Sequence, residues 1–349
     1  MSDNTIWYTR CPVPTASGLA YQRRTFDELF DGSYQVRNIK HLGKEQANTH
    51  YHHALASSFR EGGGSPPIWA YANGAQTKLL GITFMEERLG IYVRSDDPAV
   101  GMHDLAGRRI ALPVWPKLVF NFFRFAAEKG FYSALRAHGM SERDVQIVDV
   151  EENEDPANIV NPDFADGVKR PPRSYYHEQL QTLLRGDVDA IFAKGGEAAV
   201  LERQAGGKVR LLYDVQTSSE IGDRVNNSTP RLLTVSDNLL QTDPEAVTKY
   251  VQTLVRTAHW ARGHKEEAAR LVAAESGFLP EDINCFEDDF TRKLMPQTTQ
   301  KMIDMLEIMK TFLHERGYIS RNFDTLEWLD PGPLAQACAR EDVSQYELA

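Results

Sequence analysis

The sequence predicts an α/β fold in two lobes, with mostly parallel sheets flanked by helices. Short apolar runs of strand-like composition alternate along the chain with longer segments of helical periodicity. This alternation is typical of parallel sheets whose strands are joined by helical crossovers. The length of 349 residues exceeds what one ordinary hydrophobic core organises, so we expect two domains.

The predicted strands are short runs of apolar residues that turn residues bound on either side. The first strand, at residues 6–9, ends at the turn CPVP, which begins with Cys11. Further strands are predicted at residues 34–42, 78–84, 89–95, 109–113, 145–151, 186–193, 209–215 and 231–237.

The predicted helices have apolar residues at helical spacing or a recognisable N-terminal cap. Residues 16–30 form one predicted helix, and the run GGGSPP at residues 62–67 indicates a helix entrance capped by Ser65. Asp243 caps the start of a mostly helical C-terminal part. Other helices are predicted at residues 117–138, 175–184 and 197–204, and a polar, proline-rich loop at residues 152–173.

Composition and charge exclude several classes of protein. The net charge is −10 and no basic block occurs, so we expect no nucleic-acid partner. No apolar run reaches 18 residues, so we expect no membrane span, and the first seven residues do not form a secretory signal. The three cysteines are far apart, which is typical of free thiols in a reduced compartment. We therefore expect a cytoplasmic, monomeric protein.

Three longer phrases resemble type II periplasmic solute-binding proteins, in particular the sulfonate- and nitrate-binding branch. They are DLAGRRIALP at residues 104–113, LLRGDVDAIFAKGGEAAVLE at 183–202 and LLTVSDNLLQTDPEAVTKYVQTLVRTAHWA at 232–261. The resemblance implies two α/β lobes with a ligand in the cleft between them. Residues 1–100 and 215–349 would form lobe 1, residues 101–214 would form the inserted lobe 2, and hinges would lie near residues 94–102 and 214–227.

The N-terminal motifs resemble the 2'-hydroxybiphenyl-2-sulfinate desulfinase family of microbial desulfurisation. The matching positions are Cys11 in the CPVP turn, His50, Arg60 ten residues later, Gly62, Gly63, Pro66, Pro67 and the string LLGIT at residues 79–83. The resemblance implies a hydrolase of the C–S bond that uses no cofactor. It implies Cys11, His50 and Arg60 as catalytic residues, and Arg60, Gly62 and Gly63 as the residues that bind the sulfinate. The chain departs from the family in two places. Residues 51–53 are Tyr-His-His, and residues 192–196, Phe-Ala-Lys-Gly-Gly, stand where the family has a tryptophan-rich segment.

The same residues suit this chemistry without the resemblance. A sulfinate is an anion with two oxygens, and the planar fork of Arg60 fits two oxygens. Glycines at residues 62 and 63 allow a close backbone approach, and the N-terminus of the following helix favours an anion. A thiol can deliver a proton to carbon or attack sulfur, a cation beside Cys11 would favour its thiolate, and His50 would hold or orient the thiol proton.

Other interpretations of these residues remain open on the sequence alone. A lone cysteine is commonly a small buried apolar side chain, and Arg60 would then be a surface ion-pair partner. In a strand, His50 and His52 would share one face and suggest a metal, but no carboxylate has a ligand-like spacing nearby. Trp115 and the run FNFFRF at residues 120–125 would be either walls of an aryl pocket or helix packing.

Two other functions stay open beside the desulfinase. One is a non-catalytic binding protein for sulfonate-like anions, of the kind that serves ABC transporters. The other is a different enzyme on this fold, such as a relative of thiamine-pyrimidine synthases, although the chain has no cysteine-rich iron motif.

Overall fold

A computed structural model describes residues 4–9, 11–42, 49–153 and 174–344. These residues form two compact units, which we describe separately. The first unit comprises residues 1–85, 228–280 and 288–349, and the second comprises residues 86–227 and 281–287. We predicted lobe boundaries at residues 100/101 and 214/215. The compact units have different boundaries, since residues 86–100 and 215–227 belong to the second unit, and the predicted lobes stay a prediction.

Ten strands are present in the described residues. They are β1 (Thr5–Thr9), β2 (Gln35–Asn38), β3 (Ser58–Gly63), β4 (Thr77–Thr83), β5 (Leu89–Arg94), β6 (Arg109–Val114), β7 (Gln146–Glu151), β8 (Ile191–Lys194), β9 (Val209–Asp214) and β10 (Arg231–Ser236).

The α-helices of the described residues follow in chain order. They are α1 (Ala16–Gln22), α2 (Thr25–Phe30), α3 (Thr49–His52), α4 (Ser65–Ala72), α5 (Phe122–Ala137), α6 (His177–Arg185), α7 (Gly195–Ala205), α8 (Ile221–Arg224), α9 (Asp237–Thr242), α10 (Pro244–Arg262), α11 (Lys265–Ser276), α12 (Gln300–Glu315), α13 (Thr325–Trp328) and α14 (Gly332–Arg340).

A five-stranded mixed sheet forms the centre of the first unit. Its strand order is β2-β1-β3-β10-β4. Strand β1 runs parallel to β2 and β3, whereas β10 is antiparallel to both β3 and β4. Helix α10 covers this sheet, and the ring of its Tyr250 stacks on Phe59 of β3 with 3.6 Å between ring centroids. The N-terminus of α10 is capped as predicted, since Asp243 Oδ1 accepts the Ala246 amide at 2.9 Å.

The second unit contains two smaller sheets. Strand β5 lies between β8 and β9 and is antiparallel to both, and β6 pairs in parallel with β7. Trp115 stacks on Phe123 with 5.0 Å between ring centroids, and both side chains belong to the unit's apolar core together with Tyr175 and Tyr176. The run at residues 120–125 therefore contributes core packing through Phe123 and Phe125.

The α/β fold class is confirmed, and the predicted strands are found with shifted ends, but several details differ. The sheets are not mostly parallel: the five-stranded sheet is mixed because β10 is antiparallel to both neighbours, and the three-stranded sheet is antiparallel because β5 is antiparallel to both of its neighbours. Strand β3 was not predicted. The predicted helix at residues 16–30 is two helices, because Arg24 has a φ of 61° between them.

Other element bounds are corrected as well. Strand β2 ends at Asn38, and residues 39–42 form a 3-10 turn. Helix α5 starts at Phe122, where Asn121 caps it, instead of at residue 117. Helix α4 is capped by Gly64, and Ser65 is its first residue. Residues 154–173 of the predicted loop lie outside the described residues. Among the described residues, no helix is both long enough and apolar enough to cross a bilayer.

Candidate active site

Cys11 lies where β1 ends, beside β3. The register pairs Trp7, Tyr8 and Thr9 of β1 with Ser58, Phe59 and Arg60 of β3. Continuing this register by two residues brings Cys11 next to Gly62. The contact is close, because a Cβ atom built on Gly62 would lie 2.6 Å from both the Cβ and the Sγ of Cys11. The half-buried thiol therefore occupies the space that any other residue at position 62 would need.

Arg60 is a buried cation on the same strand. Its side chain is 3% exposed, and its Nη1 donates to the carbonyl oxygen of Gly63 at 2.7 Å. Burial lowers the pKa of this guanidinium to about 10, and the electrostatic attraction of Cys11 and Tyr51 opposes the lowering. Arg60 therefore keeps its charge at neutral pH. Since strand residues two apart share a face, Arg60 and Gly62 lie on the same face of the sheet.

His50 lies on the short helix α3 rather than on a strand. Burial lowers the pKa of its imidazole to about 3, and the charge of Arg60 adds to this effect. His50 is therefore neutral at physiological pH. The predicted arrangement, in which strand alternation puts His50 and His52 on one face, is wrong because residues 49–52 are helical.

Arg60 is the member of the predicted set that connects the other two. Its charge acts on Cys11 and on His50. The structure thus brings together, within the first unit, the cysteine, the arginine, the histidine and the Gly62 backbone that the sequence singled out. Gly63 contributes a carbonyl acceptor for Arg60, a role that the sequence did not suggest.

The turn that carries Cys11 is fixed on its C-terminal side by helix α1. Thr15 caps this helix by accepting the Gly18 amide at 3.1 Å. Glu61, the neighbour of Arg60 on β3, accepts the amides of Ala16 at 3.4 Å and of Ser17 at 2.7 Å. Burial raises the pKa of the Glu61 carboxyl, and the hydrogen bonds from Ser17 and Ala16 oppose this. Strand β3 therefore holds the turn from one face while Arg60 and Gly62 lie on the other.

A second carboxylate fixes the turn from both sides. Glu275 Oε1 accepts the hydroxyl of Tyr8 on β1 at 2.9 Å, and its Oε2 accepts the amide of Gln22 on α1 at 2.6 Å. Asn38 of β2 donates to the Tyr8 hydroxyl at 3.2 Å. The strand before Cys11 and the helix after it are thereby joined to one residue of α11, which preorganises the turn.

Sequence reasoning missed the position of His53. This residue follows α3 with a φ of 50°, and its amide donates to the carbonyl oxygen of Thr49 at 2.8 Å. It lines a small cavity with Thr9, Ser58 and Arg60. The only signal in the sequence was the cluster of histidines at positions 50, 52 and 53, which we interpreted as a possible metal site.

The described residues contain no group of three or more histidine, cysteine, aspartate or glutamate side chains arranged to hold a metal ion. The other two cysteines lie in different surroundings from Cys11. Burial raises the pKa of the Cys285 thiol to about 11, and the pKa of Cys338 is raised for the same reason. Burial is the largest cause at Cys285, and the charge of Arg88 opposes it.

No family model matches this chain. The chain is similar to the curated 2'-hydroxybiphenyl-2-sulfinate desulfinases of Rhodococcus erythropolis and Rhodococcus qingshengii. Each is 26% identical over 358 aligned positions, which cover 94% of this chain and 92% of the relative. The resemblance to these desulfinases is therefore confirmed over almost the whole chain.

The fold is that of solved desulfurization and sulfonate-binding proteins. A cysteine-to-serine variant of DSZB in complex with biphenyl-2-sulfinic acid has a TM-score of 0.77 and 23% identity, covering 97% of this chain and 99% of that one. The putative periplasmic sulfonate-binding protein SsuA of Methylobacillus flagellatus has a TM-score of 0.72 and 15% identity, covering 99% and 97%. The predicted periplasmic-binding-protein-like fold is confirmed.

Proposed function

We propose that this protein is an enzyme that cleaves the C–S bond of an aromatic sulfinate, of the 2'-hydroxybiphenyl-2-sulfinate kind, and releases sulfite. The observation that carries the proposal is the juxtaposition of the Cys11 thiol with Gly62 and with the buried charge of Arg60. Two comparisons support it, because the curated relatives are 2'-hydroxybiphenyl-2-sulfinate desulfinases and the structurally similar DSZB variant was solved with biphenyl-2-sulfinic acid.

Arg60 binds the sulfinate in this proposal. Its Nη1 is turned to the Gly63 carbonyl, and one of the two N–H groups of a primary guanidinium nitrogen suffices for that bond. The second N–H of Nη1 and the N–H groups of Nη2 are available for two sulfinate oxygens. A buried cation attracts an anion more strongly than an exposed one, because the surroundings screen its charge less.

Cys11 donates the proton that replaces sulfur on the aryl carbon. The thiol S–H bond breaks as a C–H bond forms at that carbon, and the electron pair of the C–S bond completes the new bond. The group that leaves is SO₂, which takes up water to give hydrogensulfite and a proton that restores the thiol. Overall, one sulfinate and one water give one arene and one hydrogensulfite, with no external oxidant or reductant. The charge of Arg60 stabilises the thiolate that forms transiently.

His50 orients the reacting groups as a neutral imidazole. With a pKa lowered to about 3, it is too weak a base to remove the thiol proton as a triad histidine does. A neutral imidazole still offers one donor and one acceptor for hydrogen bonds. The sequence prediction left open whether His50 holds the thiol proton, and the lowered pKa favours the orienting role.

The test is sulfite release from a panel of aryl and alkyl sulfinates, without added metal or nucleotide. We expect turnover of at least one aryl sulfinate. Cys11→Ser should fold, bind an aryl sulfonate as the wild type does, and release no sulfite, because a hydroxyl is a far weaker acid than a thiol. Cys338→Ser is the matched control and should retain wild-type turnover. Substantial activity of Cys11→Ser would contradict the proposal.

Two outcomes of the same experiment identify the alternatives. Tight binding of sulfonates with no turnover of any sulfinate would assign the protein as a non-catalytic anion-binding protein, the function of its SsuA-like structural neighbours. A covalent sulfonyl adduct on Cys11, detected by intact mass spectrometry of rapidly quenched enzyme, would assign Cys11 as a nucleophile on sulfur.

Arg60→Lys tests the sulfinate-binding role. The variant keeps the charge but loses the planar fork and the bond to the Gly63 carbonyl. We expect kcat/KM to fall at least about tenfold, which corresponds to about 1.4 kcal/mol of transition-state stabilisation. Wild-type kinetics in Arg60→Ala would remove Arg60 from the site.

A further inference from the structure

His53 presents an unusual pair of unsatisfied groups beside the proposed sulfinate-binding residue. Both of its ring nitrogens are buried and outside strict hydrogen-bond geometry, and the one described group whose hydrogen bonding affects the imidazole is the backbone of His50, which leaves one ring nitrogen unused. The backbone is held at a φ of 50°, a left-handed conformation that an L-residue other than glycine adopts only at a cost. Buried polar atoms without partners are rare in folded proteins, so a group at this position needs an explanation.

Arg60 has a matching unsatisfied atom. Its Nη1 is bound to the Gly63 carbonyl, but its Nε is buried and makes no hydrogen bond within the described residues. The two side chains line the same small cavity, together with Thr9 and Ser58, and this cavity has room for about one water molecule. A guanidinium Nε–H can only donate, whereas a neutral imidazole offers one acceptor nitrogen.

We propose that His53 is a positioning residue for Arg60: its neutral imidazole accepts the hydrogen bond of the Arg60 Nε–H through one water in the shared cavity, and so fixes the plane of the fork that receives the sulfinate. This inference rests on the proposed function for the identity of the anion, but the pairing of the two side chains does not depend on turnover. It assigns a role to His53, which the sequence analysis did not include in the site.

The electrostatics of His53 agree with an acceptor that stays neutral. Burial lowers the pKa of its imidazole well below the usual value, and the charge of Arg60 acts in the same direction. The carbonyl oxygen of His50 partly offsets this lowering. A ring nitrogen that carries its proton toward that carbonyl leaves the other nitrogen as the acceptor for Arg60. An imidazolium here would instead repel the guanidinium.

A guanidinium whose Nε–H and Nη1–H are both bound has its plane fixed. It then loses little conformational entropy when the two sulfinate oxygens bind. Without the Nε bond, the plane rotates about the last side-chain bonds, and the buried Nε–H is left unpaired at a cost. Loss of His53 should therefore weaken anion binding more than it weakens the fold.

The test compares His53→Leu, which has no acceptor, with His53→Gln, whose amide oxygen restores one. The matched control is His52→Leu on the same short segment, where the side chain is exposed. Affinity for an inert aryl sulfonate is measured by calorimetry. We expect a loss of about tenfold or more for His53→Leu, corresponding to about 1.4 kcal/mol. The affinities of His53→Gln and of the control should stay within about threefold of the wild type.

A second readout does not need a ligand. The Nε–H of Arg60, assigned in ¹⁵N NMR spectra by its loss in Arg60→Lys, should exchange slowly with water in the wild type. We expect fast exchange in His53→Leu and slow exchange in His53→Gln. Unchanged exchange in His53→Leu, or equal loss of affinity in His53→Leu and His53→Gln, would overturn the pairing. If no sulfinate is turned over while the exchange and affinity follow this pattern, the proposed function fails and the pairing stands.

Discussion

Replacing Gly62 with alanine perturbs the site in two ways, through a backbone φ of 157° that L residues rarely adopt and through a contact with Cys11. The new Cβ would lie 2.6 Å from the Cβ and the Sγ of Cys11. Non-bonded carbon atoms are at their optimal separation at about 3.5–4.0 Å, so the cysteine has to retreat by roughly 1 Å. The turn that carries Cys11 is held by Glu61 through α1 and by Glu275 through Tyr8 and Gln22, so it cannot move freely.

The displacement should reduce the turnover of a protein that is still folded. A misplacement of about 1 Å between reacting groups costs roughly a hundredfold in rate. This corresponds to about 2.7 kcal/mol of activation free energy. Overpacking and the positive φ each destabilise the fold by about 1–3 kcal/mol, so Tm should fall and turnover is compared at a temperature at which thermal unfolding shows Gly62→Ala to be folded. We therefore expect kcat for sulfite release to fall by about two orders of magnitude.

The assay combines steady-state sulfite release with thermal unfolding. The control is Gly101→Ala, because a Cβ at Gly101 meets no atom within 4 Å and its φ of −165° is extended backbone that alanine adopts. The control should match the wild type in kcat and in Tm. A folded Gly62→Ala protein with wild-type kcat would refute the reasoning, because Cys11 would then not need its present position.

Three further predictions concern the other titratable groups. Glu152 is 3% exposed, and burial raises the pKa of its carboxyl to about 7, so the folded state binds a proton more tightly than the unfolded state. Its contribution to stability is therefore fully present below pH 4.5 and is lost as the pH rises toward 7, by up to about 3 kcal/mol. In Glu152→Gln, Tm should fall less between pH 5 and 8 than in the wild type, and an identical fall would contradict the assignment. Brief alkylation near neutral pH followed by peptide mapping should label Cys11 before Cys285 and Cys338, whose raised pKa values suppress the thiolate, and labelling of Cys285 first would contradict this. Glu61→Ala leaves the α1 amides without their acceptor and should lower both the free energy of unfolding, by about 1–3 kcal/mol, and kcat, whereas an unchanged kcat would show that Cys11 does not need this brace.

The alternation of apolar runs was sufficient to predict most strands, since those strands lie in buried sheets. Strand β3 escaped because its sequence, SFREGG, carries two charged residues and two glycines, which is unusual for a buried strand. These residues are at the proposed site. Arg60 is the proposed sulfinate-binding residue, Glu61 accepts hydrogen bonds from the first amides of α1, and Gly62 leaves space for the Cys11 thiol. Local rules fail most often where a protein places its functional groups, and β3 is such a place.

The histidine segment shows a different limit. No element was predicted at residues 49–52, and the metal interpretation was weighed for a strand, in which His53 would lie on the face opposite to His50. In the structure the segment is a short helix, and the positive φ of His53 sets the position of its side chain beside Arg60. A single turn of helix lacks a periodic signal, and a left-handed residue other than glycine has no reliable signature in sequence. The break at Arg24 between α1 and α2 has the same cause.

The position of β10 between β3 and β4 delays the completion of the first sheet during synthesis. Strands β3 and β4 are made early, but the strand between them, β10, emerges only after all of residues 86–227. Until then both strands present an unpaired edge, which favours association with other nascent chains. Residues 86–227, the larger part of the second unit, are complete by then, whereas Glu275, the partner of Tyr8, and residues 281–287 of the second unit are made later still. A ribosome that stalls before residue 231 would therefore expose β3, with its arginine and its glycines, to the chaperones of the cell.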